Sequence, residues 1–350
     1  FRVKKGAKPE MNSKQKLPPL SNYRHLEGSM AESTQSAKEA LPSLHAYAKT
    51  KGKLVEISPL KNGSGASISS ESRSRALRFA HPVDTAVIST MDNAVINTVF
   101  NKLVQTNIDA TYGLTLASGI HISQNTYADL YAVIVECADS LHIPIPYCII
   151  SDSVHGINAC TAGTDQFAFI AISSMLPLVM SREELKFVIG HECGHLALGH
   201  VVYHTAISML GSLGSFIPLV GPIIAKTISY PLNAWSRRSE VSADRAGLIC
   251  CGDIHVAKRA LFKLEAGFLN IDDVDIDEYV RESESVLDHT AIGKYTEINR
   301  QHPIIPKRIK ALKLFAKSET YALAGGTAPI GNLISESQLK QETEEIIEIM

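Results

Sequence analysis

Cysteine is scarce in this chain: six residues in 350, none in a C-x-x-C pair and two adjacent, Cys250 and Cys251. That is too few for a disulfide scaffold and reads as reduced thiols in a reducing compartment, the cytoplasm being the expectation. An excess of charge of either sign is also lacking, since 34 Lys plus Arg face 36 Asp plus Glu for a net charge of -2. This argues against nucleic acid, or an anionic membrane, as a partner selected by bulk charge. Repeats, heptad runs and collagen periods are absent. Tryptophan occurs once, at Trp235, and reads as a core anchor. One uncharged stretch, Ala206 to Ala225, has the length of a membrane span, but three glycines (Gly211, Gly214, Gly221) and two prolines (Pro218, Pro222) interrupt it. It reads as a buried apolar helical hairpin over 205–230, with membrane contact through 206–225 as the second reading.

What is present suffices for a large core: 45% of the residues are hydrophobic and 20% charged. Residues 1–75 read as a largely disordered arm and linker. Seven Lys/Arg and one acid, Glu10, fall between Phe1 and Arg24, with no apolar core of a secretory signal, and Lys61 to Arg75 is rich in Ser and Gly. Residues 76–333 read as the folded domain, and 334–350 as an acidic tail, solvated or fraying, with one helix over Ser335 to Met350 as the second reading.

Within the domain, Leu130, Val133, Ile134, Cys137 and Leu141 recur at helical spacing, predicting a helix over 123–141 that Pro144 and Pro146 stop. Short strands are expected at Tyr147 to Ile150 and Phe167 to Ile172, with Gly163, Thr164 and Asp165 as turn material. Ser181 and Glu184 form a capping box that opens the next helix.

That helix contains His191-Glu192-Cys193-Gly194-His195. Residues four apart share a helix face, so both imidazoles reach one ion, and imidazole nitrogen suits zinc. Glu192 is placed to take a proton from a zinc-activated water. A third ligand on the same helix would have to be His200, which misses the required position by about a third of a turn. Ser236-Arg237-Arg238-Ser239-Glu240-Val241-Ser242-Ala243-Asp244 offers a better one: Glu240 completes His/His/Glu, and Asp244, one turn on, accepts the free N–H of a ligand histidine. The competing reading pairs Glu240 and Asp244 with Arg237, Arg238 and Arg245. Cys193 reads as packing, and His200 with His204 as a weak second ion site.

H-E-x-G-H at 191–195 and S-R-x-x-E-x-x-A-D at 236–244, with Asn158-Ala159 and His302-Pro303 followed by Arg308, make the chain resemble the gluzincin metallopeptidases. That family includes the heat-shock protease HtpX and the CAAX prenyl proteases. The resemblance covers roughly residues 123–315 and is nearer to the soluble or peripherally attached members. It implies an α+β, zincin-like fold, mostly helical, with a small antiparallel or mixed sheet and the H-E-x-x-H helix at the core. It implies one Zn2+ per chain on His191, His195 and Glu240, Glu192 as general base and acid, and Asp244 with Arg237 supporting the ligands. It further implies that Phe169, Ile170 and Ala171, with Asn158 and Ala159 ahead of them, pair with an extended peptide, and that His302 and Arg308 steady the oxyanion. The expected function is zinc endopeptidase action on peptide or unfolded protein, with protein quality control as a candidate role. The alternative is a zinc-stabilised binding or chaperone-like module without turnover.

Overall fold

The computed structural model describes residues 68–91, 118–163, 168–205, 207, 221–267, 270–288, 303–327 and 331–347, with backbone alone at 87–91, 221–231 and 284–288. These residues all fall within the unit spanning 60–350. Helix α1 (Ser70–Ala76) begins where a linker was expected, because Ser69 caps it by accepting the Ser72 N–H at 3.0 Å and Ala76 enters the core. Helix α2 (Pro82–Met91) follows.

Strand β1 (Ile120–His121) precedes α3 (Ala128–Leu141). The expected start near Ser123 is too early. Ser123 and Thr126 exchange backbone hydrogen bonds of 2.9 and 3.0 Å in a turn, and Tyr127 is left-handed at φ 58°. The five apolar residues at helical spacing are all buried, as the periodicity predicts.

Next come β2 (Tyr147–Ile150), β3 (Ala159–Gly163), β4 (Ala168–Ile172) and the short helix α4 (Leu176–Val179). The strand order is β1-β2-β4-β3, with β2 and β4 parallel and the two outer pairings antiparallel. This corrects the expected peptide-binding strand. Phe169, Ile170 and Ala171 lie on the interior strand β4, paired with Tyr147, Cys148 and Ile149 on one side and with Ala162, Thr161 and Cys160 on the other. An interior strand has no open ladder for a substrate to join. The edge beside β4 belongs to β3, whose last residue, Gly163, was expected as turn material; the other edge is β1.

Helices α5 (Arg182–Leu198), α6 (Gly221–Cys251), α7 (Ile254–Ala266), α8 (Ile276–Asp288) and α9 (Ile305–Phe315) make up most of the remainder. They are followed by α10 (Glu319–Leu323) and α11 (Glu336–Ile347). The architecture is mostly helical with a small mixed sheet. The capping box of α5 forms as expected, with Ser181 Oγ accepting the Glu184 N–H at 3.3 Å and Glu184 Oε2 accepting the Ser181 N–H at 2.7 Å.

Helix α5 is buried along nearly its whole length, and α6 is its main neighbour. The two approach along a seam of small residues. A Cβ on Gly190 would stand 2.6 Å from Cys250 Cβ, and one on Gly194 would stand 2.7 Å from Ala246 Cβ and 3.1 Å from Ala243 Cα. Glycine at both positions is therefore what permits the contact.

The acidic end, expected as a solvated tail, forms α11 and packs on α9. Leu339, Thr343 and Ile347 recur every four residues and are buried on one face, and Arg238 takes the Glu344 carboxylate at 2.7 and 3.1 Å. No helix among the described residues is long and apolar enough to cross a membrane. Most of the expected hairpin over 205–230 and the arm before 68 lie outside the described residues, and from Gly221 the chain is α6.

Candidate metal centre

The close approach of α5 and α6 carries His191, Glu192 and His195 against Glu240 and Asp244. His191 Nε2 lies 3.1 Å from His195 Nε2 and 3.4 Å from Glu240 Oε2, and His195 Nε2 lies 3.3 Å from Glu240 Oε1. Three donors about 2.05 Å from a tetrahedral ion stand about 3.3 Å apart; the two imidazole nitrogens are near that spacing, and each has one oxygen of the Glu240 carboxylate near it, so the donor set suits an ion such as zinc. The donor set is two imidazole nitrogens and one carboxylate, with Glu240 1% exposed. A carboxylate so buried needs cationic neighbours. His195, His200 and His204 form a second histidine group that overlaps the first through His195.

Asp244 faces His191 from behind, its Oδ1 2.9 Å from His191 Nδ1. Arg308, on α9, clamps the same carboxylate through Nε to Oδ2 at 2.8 Å and Nη2 to Oδ1 at 2.5 Å. Burial opposes ionisation of Asp244, but the Arg308 guanidinium outweighs it and holds the carboxyl below its ordinary range. Burial likewise disfavours the charged form of His191, yet the hydrogen bonds and charges of Asp244 and Glu240 raise its pKa to about 10. His195 is pushed down, chiefly by burial, with His191 and His200 adding to it against Glu240. Two imidazoles, one favouring and one resisting a proton, thus share one carboxylate.

The donors open onto a cleft of about 710 Å³ whose walls include Asn158, Ala159 and Thr161 of the β3 side, Glu192, and Arg308. Glu192 is 7% exposed, and its Oε2 accepts the Thr161 hydroxyl at 2.5 Å. Asn158 and Ala159 therefore line the cleft, whereas Phe169, Ile170 and Ala171 lie one strand further back. Arg237 is buried on α6, three residues ahead of Glu240. His302 lies outside the described residues, while Pro303 beside it lines the cleft.

Three contacts were not foreseen. Thr161 meets Glu192 from the edge strand, Asp84 is buried behind the site, and Trp235, expected only as an anchor, also donates its indole N–H to Asp84 at 2.9 Å. His200 is buried too, its two nitrogens 3.0 Å from His195 Nδ1 and 3.0 Å from Asp84 Oδ2.

Helix, edge strand, cleft and His/His/Glu donor set together describe a metallopeptidase-type centre. The chain belongs to peptidase family M48, whose model matches residues 124–316. A relative, the plastoglobule-localized metallopeptidase 48 of the chloroplast of Arabidopsis thaliana, is 28% identical over 215 residues. That alignment takes in 59% of this chain and spans 62% of the relative's length. No solved structure matches.

Proposed function

We propose that the protein is a zinc-dependent endopeptidase of zincin-like, gluzincin type. The observation that carries this reading is the convergence of His191 Nε2, His195 Nε2 and the Glu240 carboxylate at 3.1, 3.3 and 3.4 Å on a cleft that Glu192 also lines. Zinc, when bound there, supplies Lewis acidity toward a water and toward the scissile carbonyl. Glu192 takes the proton of the attacking water and delivers it to the departing amine. Thr161 holds the Glu192 carboxylate in place, and Asp244, clamped by Arg308, holds His191.

The substrate is an extended peptide or an unfolded protein segment that adds to the outer edge of β3, where no strand pairs among the described residues. Asn158 and Ala159 border it at the cleft, with the Asn158 carbonyl turned to the Ser173 N–H at 3.0 Å and the Ala159 N–H to Asn158 Oδ1 at 3.0 Å. With two of its nitrogens on Asp244, Arg308 acts on the ligand shell, and its assignment to the oxyanion is the weaker of its two roles. Protein quality control is the physiological role in keeping with an unfolded substrate.

For location, all six thiols are free, which fits any reducing compartment. The relative's name places it on the plastoglobules of the chloroplast, and peripheral contact with a lipid surface is the attachment in keeping with that. The test of function is cleavage of unfolded casein by the full chain, its loss with a zinc chelator, and its return on adding zinc. Casein left intact by the zinc-loaded protein would favour a binding module without turnover.

A further inference from the structure

Behind His195 runs a chain of hydrogen bonds that the proposed reaction does not use. His195 Nδ1 lies 3.0 Å from His200 Nδ1, and His200 Nε2 lies 3.0 Å from Asp84 Oδ2. Asp84 is held in turn by the Trp235 indole N–H on Oδ1 at 2.9 Å and the Ser242 hydroxyl on Oδ2 at 2.6 Å. His200, Asp84 and Ser242 have no exposed surface, and Trp235 is 2% exposed. They come from α2, from the turn after α5 and from α6, so the arrangement is tertiary rather than local.

With His200 neutral, the contacts behind His195 permit one placing of hydrogens. A carboxylate only accepts, so His200 carries its hydrogen on Nε2 toward Asp84, leaving a lone pair on Nδ1. His195 must then donate from Nδ1, which leaves its own lone pair on Nε2, the atom that meets His191 and Glu240. The opposite tautomer of His195 would set two lone pairs against each other at the His200 contact and put a hydrogen on Nε2, where a metal ion needs the lone pair.

We propose that Asp84 and His200 are positioning residues that fix the ring orientation and tautomer of His195 for metal binding, as Asp244 does for His191. The inference rests on the zinc reading of the site. Second-rank partners of a ligand histidine change metal affinity by about 10–100-fold when removed.

The test uses the full chain as wild type, His200→Phe, His200→Gln and Asp84→Asn, stripped of metal. Zinc affinity is measured by competition with a chromophoric chelator, the visible spectrum with cobalt in place of zinc, and thermal unfolding without metal. We expect His200→Phe to weaken zinc about 10–100-fold and shift the cobalt bands. His200→Gln, whose amide oxygen still accepts from His195, should recover much of the affinity. Asp84→Asn is nearly isosteric and should weaken zinc while the metal-free protein stays folded. Wild-type affinity and an unshifted cobalt spectrum in folded His200→Phe, or in Asp84→Asn if the former does not fold, would overturn the proposal. Failure of the wild type to bind either metal would instead overturn the zinc reading itself.

Discussion

The Thr161 hydroxyl donates to Glu192 Oε2 across 2.5 Å, tying the carboxylate proposed as general base to the edge strand proposed to hold the substrate. One residue therefore links substrate docking to proton transfer. A hydrogen bond to a charged group contributes about 1.5 kcal/mol, which is roughly tenfold in rate. Thr161→Val should lower kcat by about that factor, with zinc content unchanged and thermal stability lowered by no more than about the same 1.5 kcal/mol. Steady-state kinetics on a quenched-fluorescence peptide, beside elemental analysis for zinc, checks this. An unchanged kcat would remove Thr161 from the mechanism.

Gly194 should tolerate no side chain. Its added Cβ would meet Ala246 Cβ at 2.7 Å and Ala243 Cα at 3.1 Å, neither of which is the movable end of a long side chain. Gly194→Ala should force α5 from α6, costing about 1–3 kcal/mol by overpacking and separating the histidines from Glu240. Urea unfolding and zinc competition should both register it. Loss of stability with full zinc affinity would show that the site does not depend on this seam.

Glu184 gives a pH-dependent prediction. Burial opposes its ionisation, but Lys263 at 2.6 Å and the Ser181 N–H outweigh burial and lower its pKa. A folded pKa below the unfolded value of about 4.3 means that the unfolded chain holds the proton more tightly. The stabilisation is then complete above that value and disappears as pH falls through the folded pKa. Glu184→Gln should be less stable than wild type by about 1–2 kcal/mol at pH 7, with the difference shrinking below about pH 4. Thermal melts from pH 7 to 3 decide it, and a difference independent of pH would contradict the ion pair.

The spacing of His191 and His195 on one helix made them legible, because the period of an α-helix puts them on one face whatever the tertiary fold. Glu240 and Asp244 were legible for the same reason, as a second pair one turn apart whose donors needed a partner. Asp84 was not, since it stands 116 residues from His200 in a stretch without local pattern, and only packing brings the two together. Strand β3 was obscured because Ala159-Cys160-Thr161-Ala162-Gly163 has little of the β-branched and aromatic character that marks strands. The exchange of edge and interior between β3 and β4 follows from that omission, since the order of strands rests on long-range pairing. A helix was one reading of the last residues, but its packing was missed because acids dominate the composition, while Leu339 and Ile347, eight residues apart on one face, decide where it packs.

The central claim is that Glu192 does chemistry at a zinc site it does not help to build. Wild type and Glu192→Gln should be purified in parallel, assayed for zinc per chain and incubated with unfolded casein. The account predicts about one zinc per chain in both, and cleavage by the wild type alone, with the variant slower by at least about a hundredfold. Loss of zinc from the variant, or casein cleavage at the wild-type rate, would contradict it.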